Sequence, residues 1–343
     1  MNRDGDGAEA LEQPRESAAL ELPSVLARLD DRDPTAQREA VRTIRNAIDD
    51  DPSVCMPTVP KLRSLLERPA IDVHDEVAYC LAELAAQSPA DVAPSTDEIV
   101  SFVAEHETHA ATPELFRCLA AIATERPGVL REHVETIADV LDERDGYDRW
   151  GIEALTILSR VTPGAIEPAA PVLADALAAN PEANGVTVLA ALGRLARSDA
   201  SLPSLAFVDR TVSLVDHDDD SLRNAAIACL GDVASQAPSA VVPACPRLAT
   251  ALENEEPNTR ATAAVTLARI ADGADSSAAA VDPAREQLLE LLEDDHAHVR
   301  ANACLALGHG TVGSARERLA TLANEDPDPN VRTRAAWAVD RLS

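Results

Sequence analysis

The segments 299-VRANACLALGHG, 331-VRTRAAWAVDRL and 222-LRNAAIACLGDVA are three versions of one pattern, and 259-TRATAAVTLARIA fits the same frame. With Arg223, Arg260, Arg300 and Arg332 as anchors, small or apolar residues return at +3, +6, +7 and +10. They are Ala226, Cys229, Leu230 and Val233 in one copy and Ala263, Thr266, Leu267 and Ile270 in the next. That spacing is one stripe of an amphipathic helix.

The frame extends towards the N-terminus with weaker letters. Gly185 leads to Val188, Ala191, Leu192 and Leu195, Asp148 to Gly151, Ala154, Leu155 and Leu158, and Thr112 to Leu115, Cys118, Leu119 and Ile122. His74 leads to Val77, Cys80, Leu81 and Leu84, and Gln37 to Ala40, Thr43, Ile44 and Ala47. The anchors 37, 74, 112, 148, 185, 223, 260, 300 and 332 recur at a period near 37. An outer helix precedes each inner one, as in 56-MPTVPKLRSLLE, 133-HVETIADVLDE, 204-SLAFVDRTVSLV, 242-VPACPRLATALE and 284-AREQLLELLED. Asp33-Pro34, Thr112-Pro113, Glu256-Pro257 and Asp328-Pro329 punctuate the joins: a side-chain oxygen accepts first-turn N–H groups, and proline suits the first helical turn. The pattern predicts an all-α chain, an α-solenoid of about nine antiparallel helix pairs. The expected units are 22–54, 55–92, 93–130, 131–166, 167–202, 203–241, 242–278, 279–315 and 316–343. Residues 1–20 read as a disordered acidic tail and 21–343 as the solenoid.

Helix pairs of this length carrying D…VR-xx-A-xx-ALG resemble HEAT repeats, and the nearest version in letters is the HEAT-like type of the phycobilisome bilin lyases. The resemblance covers residues 22 to 343, most specifically in the last four units. In that family the anchor Arg and a preceding loop Asp tie neighbouring units together. The resemblance therefore implies structural roles for Arg223, Arg260, Asp294, Arg300, Asp326 and Arg332, with Asp294 facing Arg300 and Asp326 facing Arg332. In the first five units His74, Thr112, Asp148 and Gly185 are among the residues that replace the anchor Arg. Trp337, in the last helix, is expected to cover the terminal apolar face.

The formal charge is −29, from 59 acidic against 30 basic residues, and Lys61 is the only lysine. Such excess carboxylate is the pattern of a cytoplasmic protein of a salt-loving archaeon, where salt screens the repulsion. It counts against nucleic acid, which calls for a basic stripe. The N-terminus has no apolar segment of the signal-peptide kind, and no stretch approaches the roughly 18 apolar residues of a membrane helix. Cys55, Cys80, Cys118, Cys229, Cys245 and Cys304 are scattered and none form a CxxC pair, which reads as free buried thiols.

Chemistry-bearing motifs are sparse. The HEAT-type iron enzyme deoxyhypusine hydroxylase is marked by repeated His-Glu pairs at inner-helix starts; here His106-Glu107 ends an outer helix and His74-Asp75 occurs once. The loop 216-DHDDDS begins as a calcium loop does but lacks the central glycine, and reads as a solvated loop with Ser221 as helix cap. His296 and His298 lie two apart, a spacing that does not face together on a helix. No cofactor, catalytic residue or metal ligand is expected, and the reading leans away from an enzyme. The favoured function is a non-catalytic protein-binding scaffold or adaptor working through its concave inner-helix surface. A bilin-lyase-like or other cofactor-handling HEAT enzyme, and a nucleic-acid-binding HEAT protein, are the alternatives. On the inner-helix face Tyr79, Arg117, Arg149, Trp150, Arg194, Arg197 and Arg269 are the candidate partner-binding residues, fitting an acidic peptide or helix. The competing reading pairs those arginines with Glu76, Glu83, Glu114 and Glu153 on the same surface.

Overall fold

In the computed structural model, residues 21–68, 71–144, 147–200, 202, 204–273 and 280–343 are described. The tail expected over 1–20 lies outside them. Among the described residues the regular structure is helical, with no strand. Nine inner helices succeed one another: Pro34–Asp50, His74–Gln87, Thr112–Glu125, Arg149–Val161, Pro181–Ala196, Asp220–Val233, Pro257–Gly273, Ala297–His309 and Pro329–Arg341. Each follows an outer helix: Leu22–Leu29, Val59–Leu66, Thr96–Glu105, Val134–Asp142, Ala170–Ala179, Phe207–Ser213, Cys245–Ala251, Arg285–Glu290 and Arg316–Glu325. We number the pairs one to nine. The chain is an α-solenoid.

The +3, +6, +7 and +10 positions are what the stack buries. Val188, Ala191, Leu192 and Leu195 have no exposed surface in unit five, and the same holds for Leu115, Cys118, Leu119 and Ile122 in unit three. In unit one Thr43 and Ala47 are only half-buried, as no described unit precedes it. The apolar residues form one continuous core from Val25 to Ala338, so each unit is held by its neighbours rather than by a core of its own.

Inner helices run from 13 to 17 residues, outer ones from six to ten. The outer helices start later than their apolar patterns suggest, because prolines tighten the approach into 3-10 turns at Pro52–Thr58, Pro127–His133 and Pro163–Ala169. The longer inner helices pack on one another in an unbroken row.

Caps follow the expected chemistry at some joins. Asp33 accepts from the Thr35 amide, and Asp328 accepts from those of Asn330 and Val331. Thr112 does not cap; it is the first helical residue, and its buried hydroxyl donates to the His106 carbonyl instead. Nor does Ser221: Asp219 caps that helix through the Leu222 amide. In the same acidic loop Asp216 pairs with Arg247 and Asp220 with Arg223.

In units five, six and eight close approach between inner helices requires glycine at +8. A Cβ on Gly308 would lie 2.6 Å from the Trp337 ring, and one on Gly193 would lie 2.7 Å from a carboxylate oxygen of Asp232. Trp337 therefore sits against unit eight, with its ring 4.6 Å from that of His309. It does not cover the outward face of unit nine as expected, because its position on the helix turns it towards the gap left by Gly308.

Candidate partner-binding surface on the inner helices

The structure separates the seven candidate residues into two groups. The first joins units one to four. The Arg45 guanidinium lies 4.8 Å and that of Arg117 6.0 Å from the centre of the Tyr79 ring, and the Tyr79 hydroxyl donates to Asp49 at 3.3 Å. Arg149 stacks over Trp150 at 4.2 Å. Between them is a hollow of about 200 Å³ floored by Ala82, Ala86, Ala120 and Ala121 and walled by Arg117 and Trp150. Alanines at these positions leave room for a side chain from outside.

Arg117 is not a free cation. Its Nε donates to Glu114 at 2.7 Å and its Nη2 to Glu83 at 2.8 Å. Burial opposes its charge, but the bonds to Glu114 and Glu83 outweigh that and raise its pKa. For Arg117 the competing glutamate reading describes the geometry.

The second group joins units four to seven. Arg197 and Arg269 both donate to one oxygen of Asp232, at 3.4 Å and 2.8 Å. Burial raises the Asp232 pKa, with Arg197 and Arg269 working against that rise. Arg194 donates to the Ser159 hydroxyl at 3.0 Å, and burial, Arg160 and Arg197 lower its pKa. Asp232, which the repeat pattern does not single out, organises this group. Its position at +9, one step after the close-approach Gly231, was the available signal.

The anchor arginines work across a different pair of units from the one expected. Each places Nη1 on the carbonyls six and five residues before it: Arg260 on Asn254 and Glu255, Arg300 on Asp294 and Asp295, Arg332 on Asp326 and Pro327. For Arg260 and Arg300 the carboxylate held belongs to the following unit. Arg260 Nε meets Asp294 at 2.8 Å and Arg300 Nε meets Asp326 at 2.8 Å. Asp294 thus touches Arg300 through its carbonyl and Arg260 through its side chain. The reason is steric: the arginine curls back onto its own loop, and its Nε edge turns towards the next unit. The bonds from Arg300 hold the Asp326 carboxyl below the usual carboxylate range.

Arg223 makes the same carbonyl contacts, to His217 and Asp218, but its Nε is buried without a hydrogen bond. The following unit carries Asn254 where Asp294 and Asp326 stand in later units, and that asparagine makes the same turn, its Oδ1 accepting from the Glu256 amide at 2.9 Å.

At the joint of units two and three the link is made of imidazoles. His74, at the anchor position, lies 5.7 Å from His109, and His106 stacks on Phe102 at 4.5 Å. His296 and His298 also meet, at 5.7 Å, because His296 is an extended cap residue outside the helix. Among the described residues no group of three or more His, Cys, Asp or Glu side chains is arranged to hold a metal ion. All six cysteines are buried, and burial pushes the thiols of Cys80, Cys118 and Cys304 up to about 12. Among the described residues no helix is long and apolar enough to cross a membrane.

These features define a helical repeat protein whose exposed inner face carries arginine and aromatic side chains. Known proteins agree with it on the fold. The family model for HEAT repeats matches residues 285–343. An engineered protein solved by the Northeast Structural Genomics Consortium is similar over 93% of this chain and 87% of its own, at 22% identity and a TM-score of 0.78. A structure described by the words "A conserved phosphorylation switch controls the interaction between cadherin and beta-catenin in vitro and in vivo" is similar over 94% of this chain and 69% of its own, at 16% identity and a TM-score of 0.75. A designed armadillo repeat protein in complex with the peptide (KR)4 is similar over 61% of this chain and 99% of its own, at 18% identity and a TM-score of 0.53. Likeness at these identities shows the fold alone. No curated protein matches the sequence.

Proposed function

We propose that this chain is a non-catalytic scaffold or adaptor that holds a partner protein along the concave inner-helix surface. The observation that carries the reading is the alanine-floored hollow beside Trp150 and Arg149. An exposed Arg–Trp stack next to an open apolar recess is the arrangement that anchors protein interfaces. In a chain of net charge −29, arginines gathered on one face favour an acidic peptide or helix as the partner. The designed armadillo neighbour is described with a basic peptide, so the shared fold does not dictate the sign of the ligand.

Replacing Arg149 and Trp150 by Ala is expected to weaken partner capture at least tenfold in affinity purification at molar salt, with helix content unchanged by circular dichroism. Equal recovery of the same partners by both proteins discards this site. A chromophore that co-purifies, or a strongly salt-dependent mobility shift with DNA, would replace the scaffold reading with a cofactor-handling or nucleic-acid-binding one.

A further inference from the structure

The second arginine group is a line rather than a point. Arg160 ends the inner helix of unit four, Arg194 and Arg197 end that of unit five, Asp232 ends that of unit six, and Arg269 lies in the last turns of unit seven. The side chains are chained across the units. Arg194 reaches back to Ser159 in unit four, Arg197 reaches forward to Asp232, and Arg269 reaches back to it. Two of the four guanidiniums bond to the one carboxylate, and these five side chains together carry a formal charge of plus three. Asp232 favours the charge of Arg194, while Arg160 and Arg197 oppose it. Among the described residues neither Arg160 nor Arg194 forms an ion pair, and the side chains of Arg197 and Arg269 are 53% and 45% exposed. Gathering uncompensated cations is unfavourable in the free protein, and an arriving anion relieves it.

Resting on the scaffold reading above, we infer that this row is the recognition site for an extended, carboxylate-bearing peptide segment laid across units four to six, with acidic residues about six positions apart. The spacing follows from geometry. Neighbouring packed helices lie about 8–10 Å apart, and an extended chain rises about 3.3 Å per residue, so about three residues span one unit. Arg194 lies at Ser159 in unit four beside Arg160, and Arg197 and Arg269 meet at Asp232 in unit six, two units on, so acidic side chains about six residues apart reach both pairs, as every second glutamate of an evenly spaced triplet does. A helical segment, rising about 1.5 Å per residue, would need them about twelve apart. Asp232 holds Arg197 and Arg269 in place before the ligand arrives, which lowers the ordering cost of binding. The planar guanidinium takes a carboxylate through two parallel hydrogen bonds.

The test uses the full chain and three labelled twelve-residue peptides, read by fluorescence anisotropy at the lowest salt that preserves its circular dichroism. One probe is four Glu-Gly-Ser triplets. The second has the same composition with its four glutamates contiguous. The third replaces each glutamate of the first by lysine. The spaced glutamate peptide is expected to bind at least fivefold tighter than the contiguous one, and the lysine peptide not to bind. Arg194→Ala with Arg197→Ala is expected to weaken the spaced peptide at least tenfold, while Arg149→Ala with Trp150→Ala leaves it unchanged. A fold-preserving charge reversal, Arg194→Glu with Arg269→Glu, is expected to transfer binding to the lysine peptide. Equal affinity for the two glutamate peptides, indifference to the Arg194 and Arg197 substitutions, or no binding overturns the inference. If partner capture still depends on Arg149 and Trp150 in that case, the scaffold reading survives without this row.

Discussion

At the scale of single residues the interest lies in one break in a repeated hydrogen-bond pattern. Arg260 and Arg300 each satisfy Nε on the carboxylate of the following unit, whereas Arg223, whose following unit carries Asn254 at the equivalent position, leaves its Nε unpaired and buried. A buried donor without a partner costs free energy that a charge-assisted bond would recover. Asn254→Asp preserves the turn that Asn254 makes and supplies the missing oxygen. It should stabilise the chain by about 1 kcal/mol in urea unfolding. Asn254→Ala, which removes the turn as well, should destabilise it. A variant Asn254→Asp that unfolds at the wild-type midpoint would show that Arg223 does not face this position in solution.

At the scale of elements, the joint between units two and three carries a buried histidine that should make it pH-sensitive. His74 is 9% exposed, with Nε2 unbonded. Burial lowers its pKa below the ordinary 6.5, and the nearby His109 and His106 lower it further. The surrounding ionisable groups are those two histidines and Asp75, which lies 3.5 Å from His109. A depressed histidine pKa means that the unfolded chain takes up its proton first as pH falls. The joint therefore has its full stability above pH 6.5 and loses it as pH drops from there towards the lowered folded value. The protection factors of amides in units two and three, which factor out the slowing of intrinsic exchange by acid, should fall between about pH 7 and pH 5, before those in unit five, which carries no histidine. His74→Gln should flatten this dependence. Identical pH profiles in both regions would refute it.

For the whole molecule, the continuous core implies that units unfold by neighbour-to-neighbour steps and not all at once. The buried thiols report this directly. With Cys80, Cys118 and Cys304 at about 12 and Cys245 at about 11, native protein should resist a thiolate-selective reagent at pH 8. On a urea gradient the six should become reactive in groups that follow position along the stack. Simultaneous exposure of all six would mark a single cooperative body. Segregation of charge is the other property visible only at this scale. A chain of net charge −29 places a cationic row where its inner helices end.

The return of small and apolar residues at +3, +6, +7 and +10 was enough to establish helix pairs stacked in an open row, because that periodicity leaves each helix a face that only a neighbour can bury. The buried cysteines Cys80, Cys118 and Cys229, all at +6, belong to the same arithmetic. What spacing cannot convey is which neighbour a long side chain reaches. Its loop position assigns Arg300 to Asp294, yet its Nε edge meets Asp326 one unit on. Arg117 read as a partner-facing cation, but Glu83 and Glu114 hold it. Arg194, Arg197 and Arg269 gather around an aspartate that no linear pattern singles out. An arginine is long enough to reach the neighbouring unit on either side, so its choice of partner is made by packing across units, and only the tertiary structure decides it.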